Sequence, residues 1–257
     1  MSTGKPIRRV AIIGTGVIGA SWAALFLAKG LEVVATDIAP NAESALKRFV
    51  EAAWPALKRL GLAPGASQSK LTFTADLLAA VKGADLVQEN GPERIDFKKK
   101  LYGQLDEALP PEVIIASSSS GLTMSEIQSG CGAHPERCVI GHPFNPPHLM
   151  PLVEIVGGAK TSEETIQRAA DFYTAMGKKP VRLHKELPGH VANRLQSALS
   201  REVYYLVAEG VVSAADADTA LSWGQACVGV SWAACFSTTS AAAKAASSIS
   251  SNSSAVL

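Results

Sequence analysis

The chain has 257 residues, 47% of them hydrophobic, and a formal net charge of +1. That is enough apolar material for one large core or two small ones, and the near-neutral charge excludes a basic binder of nucleic acid or of anionic membrane. No apolar run approaches the roughly 18 residues of a membrane span, and the basic start MSTGKPIRRV leads into a strand rather than a cleavable leader.

From the N-terminus, Arg8 to Ile13 reads as a strand buried on both faces. Ile18 to Lys29 reads as a helix closed by Gly30, and Leu31 to Thr36 as a second buried strand. Asn41 is the expected N-cap of a helix running to Leu60, kinked or split at Pro55. The pattern then alternates. Strands are expected at Ala84–Gln88 and Val113–Ser117, helices at Ile95–Ala108 and Met124–Gln128. Further strands are expected at Cys138–His142, Leu152–Val156 and Pro180–His184, with a helix over Ser162–Met176 capped by Thr161. Such alternation predicts an α/β fold, a mostly parallel, doubly wound sheet. Past Pro188–Gly189 an amphipathic helix runs from Val191 to Gly210 through Leu195, Leu199, Val203 and Leu206, and another starts near Ser213. These open an all-helical domain, with the boundary near Leu187. Cys131 and Cys138 belong to no CxxC pair and read as free thiols of a reducing, cytoplasmic compartment rather than as zinc ligands.

Gly14-Thr15-Gly16-Val17-Ile18-Gly19 matches GxGxxG between a buried strand and a helix. Without that context it would be only a glycine turn. With it, Gly14 makes the tight turn, Gly16 leaves room for a pyrophosphate, and Gly19 lets the helix approach the sheet. Asp37 ends the second strand, where it can bond ribose hydroxyls and repel a 2′-phosphate. No Arg follows it, so NAD is preferred to NADP.

The chemistry is concentrated between Ser117 and Gly158, in SSSSGL and GHPFNPPHLMPLVEIVGG. Oxidation of a secondary alcohol needs a base for the hydroxyl proton, and histidine titrates in the right range. His142 ends one strand and Glu154 lies on the next. A carboxylate inside LVEIV is costly unless paired, which makes His142 its natural partner. Ser120 and Asn193 are candidates to hold the substrate oxygen. By themselves, the serine run reads as a polar loop, and His134, His148, His184 and His190 as surface or packing residues. Lys98–Lys100 reads as a solvated helix face.

GHPFNP, PLVEIVGG and PGHVANRL together resemble the 3-hydroxyacyl-CoA dehydrogenase superfamily, most of all its lambda-crystallin (L-gulonate dehydrogenase) and L-carnitine dehydrogenase branch. The resemblance covers about residues 6 to 224. It implies a Rossmann-type NAD domain over residues 1–187 and a truncated helical domain over 188–224. It implies His142 as the base, Glu154 as its partner, and Ser120 and Asn193 as substrate contacts. NAD contacts fall on Gly14 to Gly19, Asp37, Glu93, Lys98 and Asn145. His190 departs from the family, which usually has Phe there. The implied reaction is reversible NAD-linked oxidation of an L-3-hydroxyacyl-CoA or small L-3-hydroxy acid. Members that use CoA thioesters have a longer Lys-rich hairpin after the second strand. Here Asn41–Gln68 is compact, which tilts the reading to free acids. A dinucleotide-binding protein without turnover is the reading from another class. The implied partners are a small-molecule substrate and a second copy in a homodimer, impaired by the altered C-terminus.

After Cys227 the chain holds no Asp, Glu, Arg or Pro, and Ala and Ser dominate. The family continues past Trp223-Gly224 with a segment like PGLRWxxMG. Codons allowed for Gln225 onward, read one base earlier, permit Pro-Gly-Leu-Arg-Trp. Residues 225–257 are therefore expected to be a low-complexity tail produced by one base lost near codons 224–225. Resequencing the DNA there tests this: an uninterrupted frame shared by close relatives would sink it.

Overall fold

The computed structural model describes residues 6–225, and the tail expected over 225–257 lies outside them but for the backbone of Gln225. Two compact units meet at Arg194 and Leu195. The first unit holds strands β1 (Arg9–Ile13), β2 (Glu32–Thr36), β3 (Leu71–Phe73), β4 (Leu86–Glu89), β5 (Ile114–Ser117), β6 (Cys138–Pro143), β7 (Leu152–Gly157) and β8 (Lys179–Leu183). Its helices are α1 (Val17–Ala28), α2 (Ala42–Leu60), α3 (Leu77–Val81), α4 (Ile95–Ala108), α5 (Met124–Gln128) and α6 (Glu163–Ala175). Helix α7 (Ala192–Ala208) starts in the first unit, and α8 (Ala214–Ala220) belongs to the second.

The strands form one eight-stranded sheet in the order β3-β2-β1-β4-β5-β6-β7-β8. Neighbours run parallel except β6 and β7, which pair antiparallel. The continuous apolar character of β1 follows from cover on both faces. Val10 and Ile12 enter a core shared with α1, α2 and α6, while Ala11 and Ile13 enter another lined by α3, α4 and α5. Helix α1 is buried from Gly19 to Ala28, so it carries no polar face. Cys131 and Cys138 are buried free thiols with Sγ atoms 3.6 Å apart.

Several local expectations change. Strand β3 and helix α3 were not foreseen, because β3 has three residues and none of them is buried. The readable signal for α3 is Asp76, whose carboxylate accepts from Leu78 N at 2.9 Å and Ala79 N at 3.3 Å. Pro55 does not split α2. It lies on the exposed side, while Leu46, Val50, Ala53 and Leu57 keep one apolar stripe buried across it. Asn41 precedes α2 in a left-handed conformation with φ 61°, and its side chain makes no capping bond. Ser162, not Thr161, caps α6 by accepting from Thr165 N. Thr161 instead donates from its hydroxyl to Cys138 O at 2.7 Å. The first compact unit ends at Arg194, and within it the amides of Val191 and Ala192 bond to Glu154 of β7. In α7 no residue is buried, and Leu195, Leu199, Tyr204 and Tyr205 are exposed. Among the described residues no helix is long and apolar enough to cross a membrane.

Arg137 is 2% exposed and locks α4 to the start of β6. Its Nη2 donates to Asp106 Oδ1 at 2.8 Å and Asp106 O at 2.9 Å, and its Nη1 to Leu109 O at 3.0 Å. Removing one partner of a buried pair leaves the other charge uncompensated. Arg137→Met is expected to cost about 3–5 kcal/mol in urea unfolding. A loss under about 1 kcal/mol would mean that the pair behaves as a surface ion pair.

Candidate active site

The glycine turn lies between β1 and α1, beside the C-terminal ends of β2 and β4. Gly14 has φ +81°, and a Cβ there would come within 2.7 Å of Asn90 O. A Cβ on Gly19 would come within 1.9 Å of Gly14 O, so the helix approaches the turn as closely as backbone allows. At Gly16 a Cβ would meet nothing within 4 Å, which leaves open space over the first turn of α1. That turn carries no acidic residue, so its amides are available to an anion. Thr15 N and Thr15 Oγ1 donate to Asp37 Oδ2 at 2.6 and 2.9 Å, and Ala39 N donates to Oδ1 at 2.9 Å. Burial by itself would raise the Asp37 pKa, but these bonds outweigh it and hold the carboxyl below its ordinary value. A carboxylate has about four acceptor sites, so capacity remains for ribose hydroxyls. Gly14, Gly16, Asp37, Asn90 and Phe97 line a cavity of about 520 Å³. Val17 is 60% exposed, whereas Ile18 packs against the core.

Lys98 does not stand free on a solvated helix face. It is 1% exposed and donates to both oxygens of Glu89, at 2.7 and 2.8 Å. Glu89 also accepts from Gly91 N and Ser117 Oγ, each at 2.6 Å. Sequence reasoning missed Glu89, although the argument applied to Glu154 would have found it: a carboxylate in the buried strand LVQE demands a partner. Glu93 lies 3.8 Å from Lys98 and organises the serine loop. Its Oε1 accepts from Ser119 Oγ at 2.7 Å, Ser120 N at 3.0 Å and Gly121 N at 2.9 Å. Against the upward push of burial, these bonds and Lys98 keep its carboxyl below the usual range.

Antiparallel pairing of β6 and β7 puts His142 directly opposite Glu154. His142 Nδ1 lies 2.9 Å from Glu154 Oε2, with the residues 6% and 1% exposed. Since the carboxylate only accepts, Nδ1 carries the hydrogen and Nε2 is left for a reaction partner. The other oxygen, Glu154 Oε1, accepts from Val191 N and Ala192 N at 2.9 Å each, where α7 begins. Burial pushes the Glu154 pKa up, and the bonds from His142 and the two amides bring it below the ordinary value. Ser120 and Asn193 are half-buried, and their side chains make no hydrogen bond among the described residues. Asn145 is exposed in the connection between β6 and β7. His148 accepts no catalytic place; its Nδ1 lies 2.7 Å from Ser21 Oγ on α1. His190, expected at the surface or in packing, is 2% exposed with its ring centroid 5.2 Å from that of His142. No cluster among the described residues could hold a metal ion.

The family described as 3-hydroxyacyl-CoA dehydrogenase, NAD binding domain, matches residues 9–187. An L-carnitine dehydrogenase of Streptomyces coelicolor is 50% identical over 91% of this chain and 72% of its own length. That of Pseudomonas putida is 50% identical over 88% and 69%. Among solved structures, an NAD+-dependent 5-formyl-3-hydroxy-2-methylpyridine 4-carboxylic acid 5-dehydrogenase superposes with a TM-score of 0.80 at 41% identity, covering 85% of this chain and 71% of that one. The 3-hydroxybutyryl-CoA dehydrogenase of Escherichia coli superposes with a TM-score of 0.74 at 30% identity, covering 81% and 44%.

Gly19→Ala drives a methyl group into Gly14 O and must open the turn. NADH fluorescence titration is expected to show at least about a hundredfold loss of affinity, the scale of a misplaced phosphate cradle. Binding within about threefold of wild type would mean that the glycine turn does not carry the dinucleotide.

Proposed function

The chain belongs to the 3-hydroxyacyl-CoA dehydrogenase family of NAD-dependent oxidoreductases, and on that footing we propose that it interconverts a small free L-3-hydroxy acid and its 3-oxo form. The observation that carries this reading is the buried His142–Glu154 pair, anchored through Glu154 to the start of α7. His142 takes the substrate hydroxyl proton on Nε2, and in reduction it returns it. Glu154 holds the Nδ1–H tautomer and balances the imidazolium that forms. Ser120 Oγ and the Asn193 amide, unengaged among the described residues, bond the substrate oxygen. Asp37 takes the adenosine ribose, the α1 amides the pyrophosphate, and Asn145 the nicotinamide half. When bound, NAD supplies the hydride acceptor. Lys98 supports from behind, through Glu89 and the backbone of Gly91.

For the substrate, the relatives with about half their residues identical carry the name L-carnitine dehydrogenase, and a 41% identical structure acts on a pyridine carboxylic acid. Both names denote free acids. The single compact helix α2 fits the same side, and L-carnitine is the first acid to test. Free Cys131 and Cys138 fit a reducing, cytoplasmic setting. The exposed Leu195 and Leu199 support a homodimer through the helical domain.

NADH oxidation against dehydrocarnitine, other free 3-oxo acids and acetoacetyl-CoA tests the reading. Turnover of a free acid is expected, and His142→Gln should lower kcat by about 10²–10⁴ with little change in NADH affinity. Preference for acetoacetyl-CoA would move the protein to thioester metabolism. NADH binding with no turnover of any of these would favour the non-enzymatic reading.

A further inference from the structure

We infer that His190 is a positioning residue of this site, one that ties the serine loop to the start of α7 and braces His142 between them. The inference rests on the reading of His142 as the base. It starts from the backbone: His190 has φ +50°, a left-handed conformation that side-chain-bearing residues rarely adopt. That turn, just after Gly189 and just before Val191, brings the imidazole against the serine loop and His142. There His190 Nε2 lies 3.0 Å from Ser119 O. A carbonyl only accepts, so Nε2 carries the hydrogen and the ring is the Nε2–H tautomer. The bond links neighbours of both substrate-holding candidates: Ser120 follows Ser119, and Asn193 lies three residues after His190, at the start of α7. It adds a direct bond between the loop segment that Glu93 orders at Ser120 and Gly121 and the turn that precedes the amides held by Glu154.

The other nitrogen sharpens the assignment. His190 Nδ1 is fully buried and has no hydrogen-bond partner among the described residues. A proton there would become a buried donor without an acceptor. It would also set a second cation beside His142, with Glu154 the carboxylate that both would share. Burial lowers the His190 pKa most; His142 lowers it further, and the Ser119 carbonyl, Glu154 of β7 and Glu93 after β4 raise it without restoring it. His190 is therefore a neutral brace while His142 cycles its proton. Phe, which packs but cannot donate, cannot form this tie.

Three full-length proteins test it: wild type, His190→Phe and His190→Gln, whose amide copies the Nε2 donor. NADH affinity reports the fold of the dinucleotide site, which His190 does not touch. H190F is expected to lose about tenfold in kcat at unchanged NADH affinity, the scale of a small misplacement of reacting groups. Its Ser120 and Val191 amides should exchange hydrogen faster than in wild type. H190Q should keep kcat within about threefold and keep both amides protected. In reduction, His142 must enter protonated, so a rate governed by it alone levels off toward low pH. The wild-type rate should instead fall again below the free-imidazole value of about 6.5, and this fall should vanish in H190F and H190Q. Wild-type kcat and exchange in H190F, or H190Q as impaired as H190F, would overturn the inference. If H190F does not bind NADH, H190Q decides through the acid-side fall, whose persistence would overturn it. If wild type turns over no acid, the functional reading has failed, and amide exchange alone decides: faster in H190F but not in H190Q supports the tie, and no change overturns it.

Discussion

A carboxylate in the middle of an apolar strand must have every lone pair engaged, because an uncompensated buried charge costs more than the strand can supply. Glu154 meets that demand from two directions. One oxygen holds the imidazole on the neighbouring strand, and the other holds the first amides of the next helix. The arrangement needs β7 to run antiparallel to β6, since only that register places Glu154 across from His142. It also needs the chain to return to β7 at Val191 after leaving β8. The reversal of strand direction at one side of an otherwise parallel sheet is thus part of the site, not a decoration of the fold.

The same device recurs along the strand ends. Glu89 takes Lys98, Ser117 and Gly91, Glu93 gathers the serine loop, and Asp37 clasps Thr15 of the glycine turn. Each is a carboxylate at or just past the C-terminal end of a parallel strand, and each orders a loop that would otherwise be free. The sheet order places β1 between β2 and β4, so the crossover changes side at β1, the position where doubly wound sheets open a crevice for a ligand. The cavity at that crevice sets the fixed carboxylate of Asp37 and the glycine-turn backbone against an apolar lining from Ile13, Leu77, Phe97 and Leu101.

Long elements with strong apolar periodicity were legible in the sequence. Helix α4 was expected over Ile95–Ala108 and stands there, because its apolar residues keep one face over fourteen positions. Weak ones were not. Strand β3 has three residues, none of them buried, and exists because β2 offers it an open edge. Capping at 161–162 was misplaced by one residue since both Thr161 and Ser162 can cap, and only the hydroxyl geometry chooses between them. Pro55 shows tertiary burial overriding a local breaker, with an apolar stripe buried on both sides of it.

The amino-acid sequence alone determined the sheet-and-helix alternation, the dinucleotide turn, and the need of Glu154 for a partner, because periodicity, glycine placement and buried charge are local or nearly local properties. His142 could be named as that partner from the sequence, but tertiary structure alone decided the other pairings. Lys98 turned inward to Glu89 because a carboxylate from the strand end lay within its reach. His190, which its neighbours in the chain mark as nothing more than a turn, became the imidazole beside His142 because a left-handed backbone folded it under a loop 71 residues away in sequence. Contacts across such separations depend on how the strands pair, and no window of sequence holds that information.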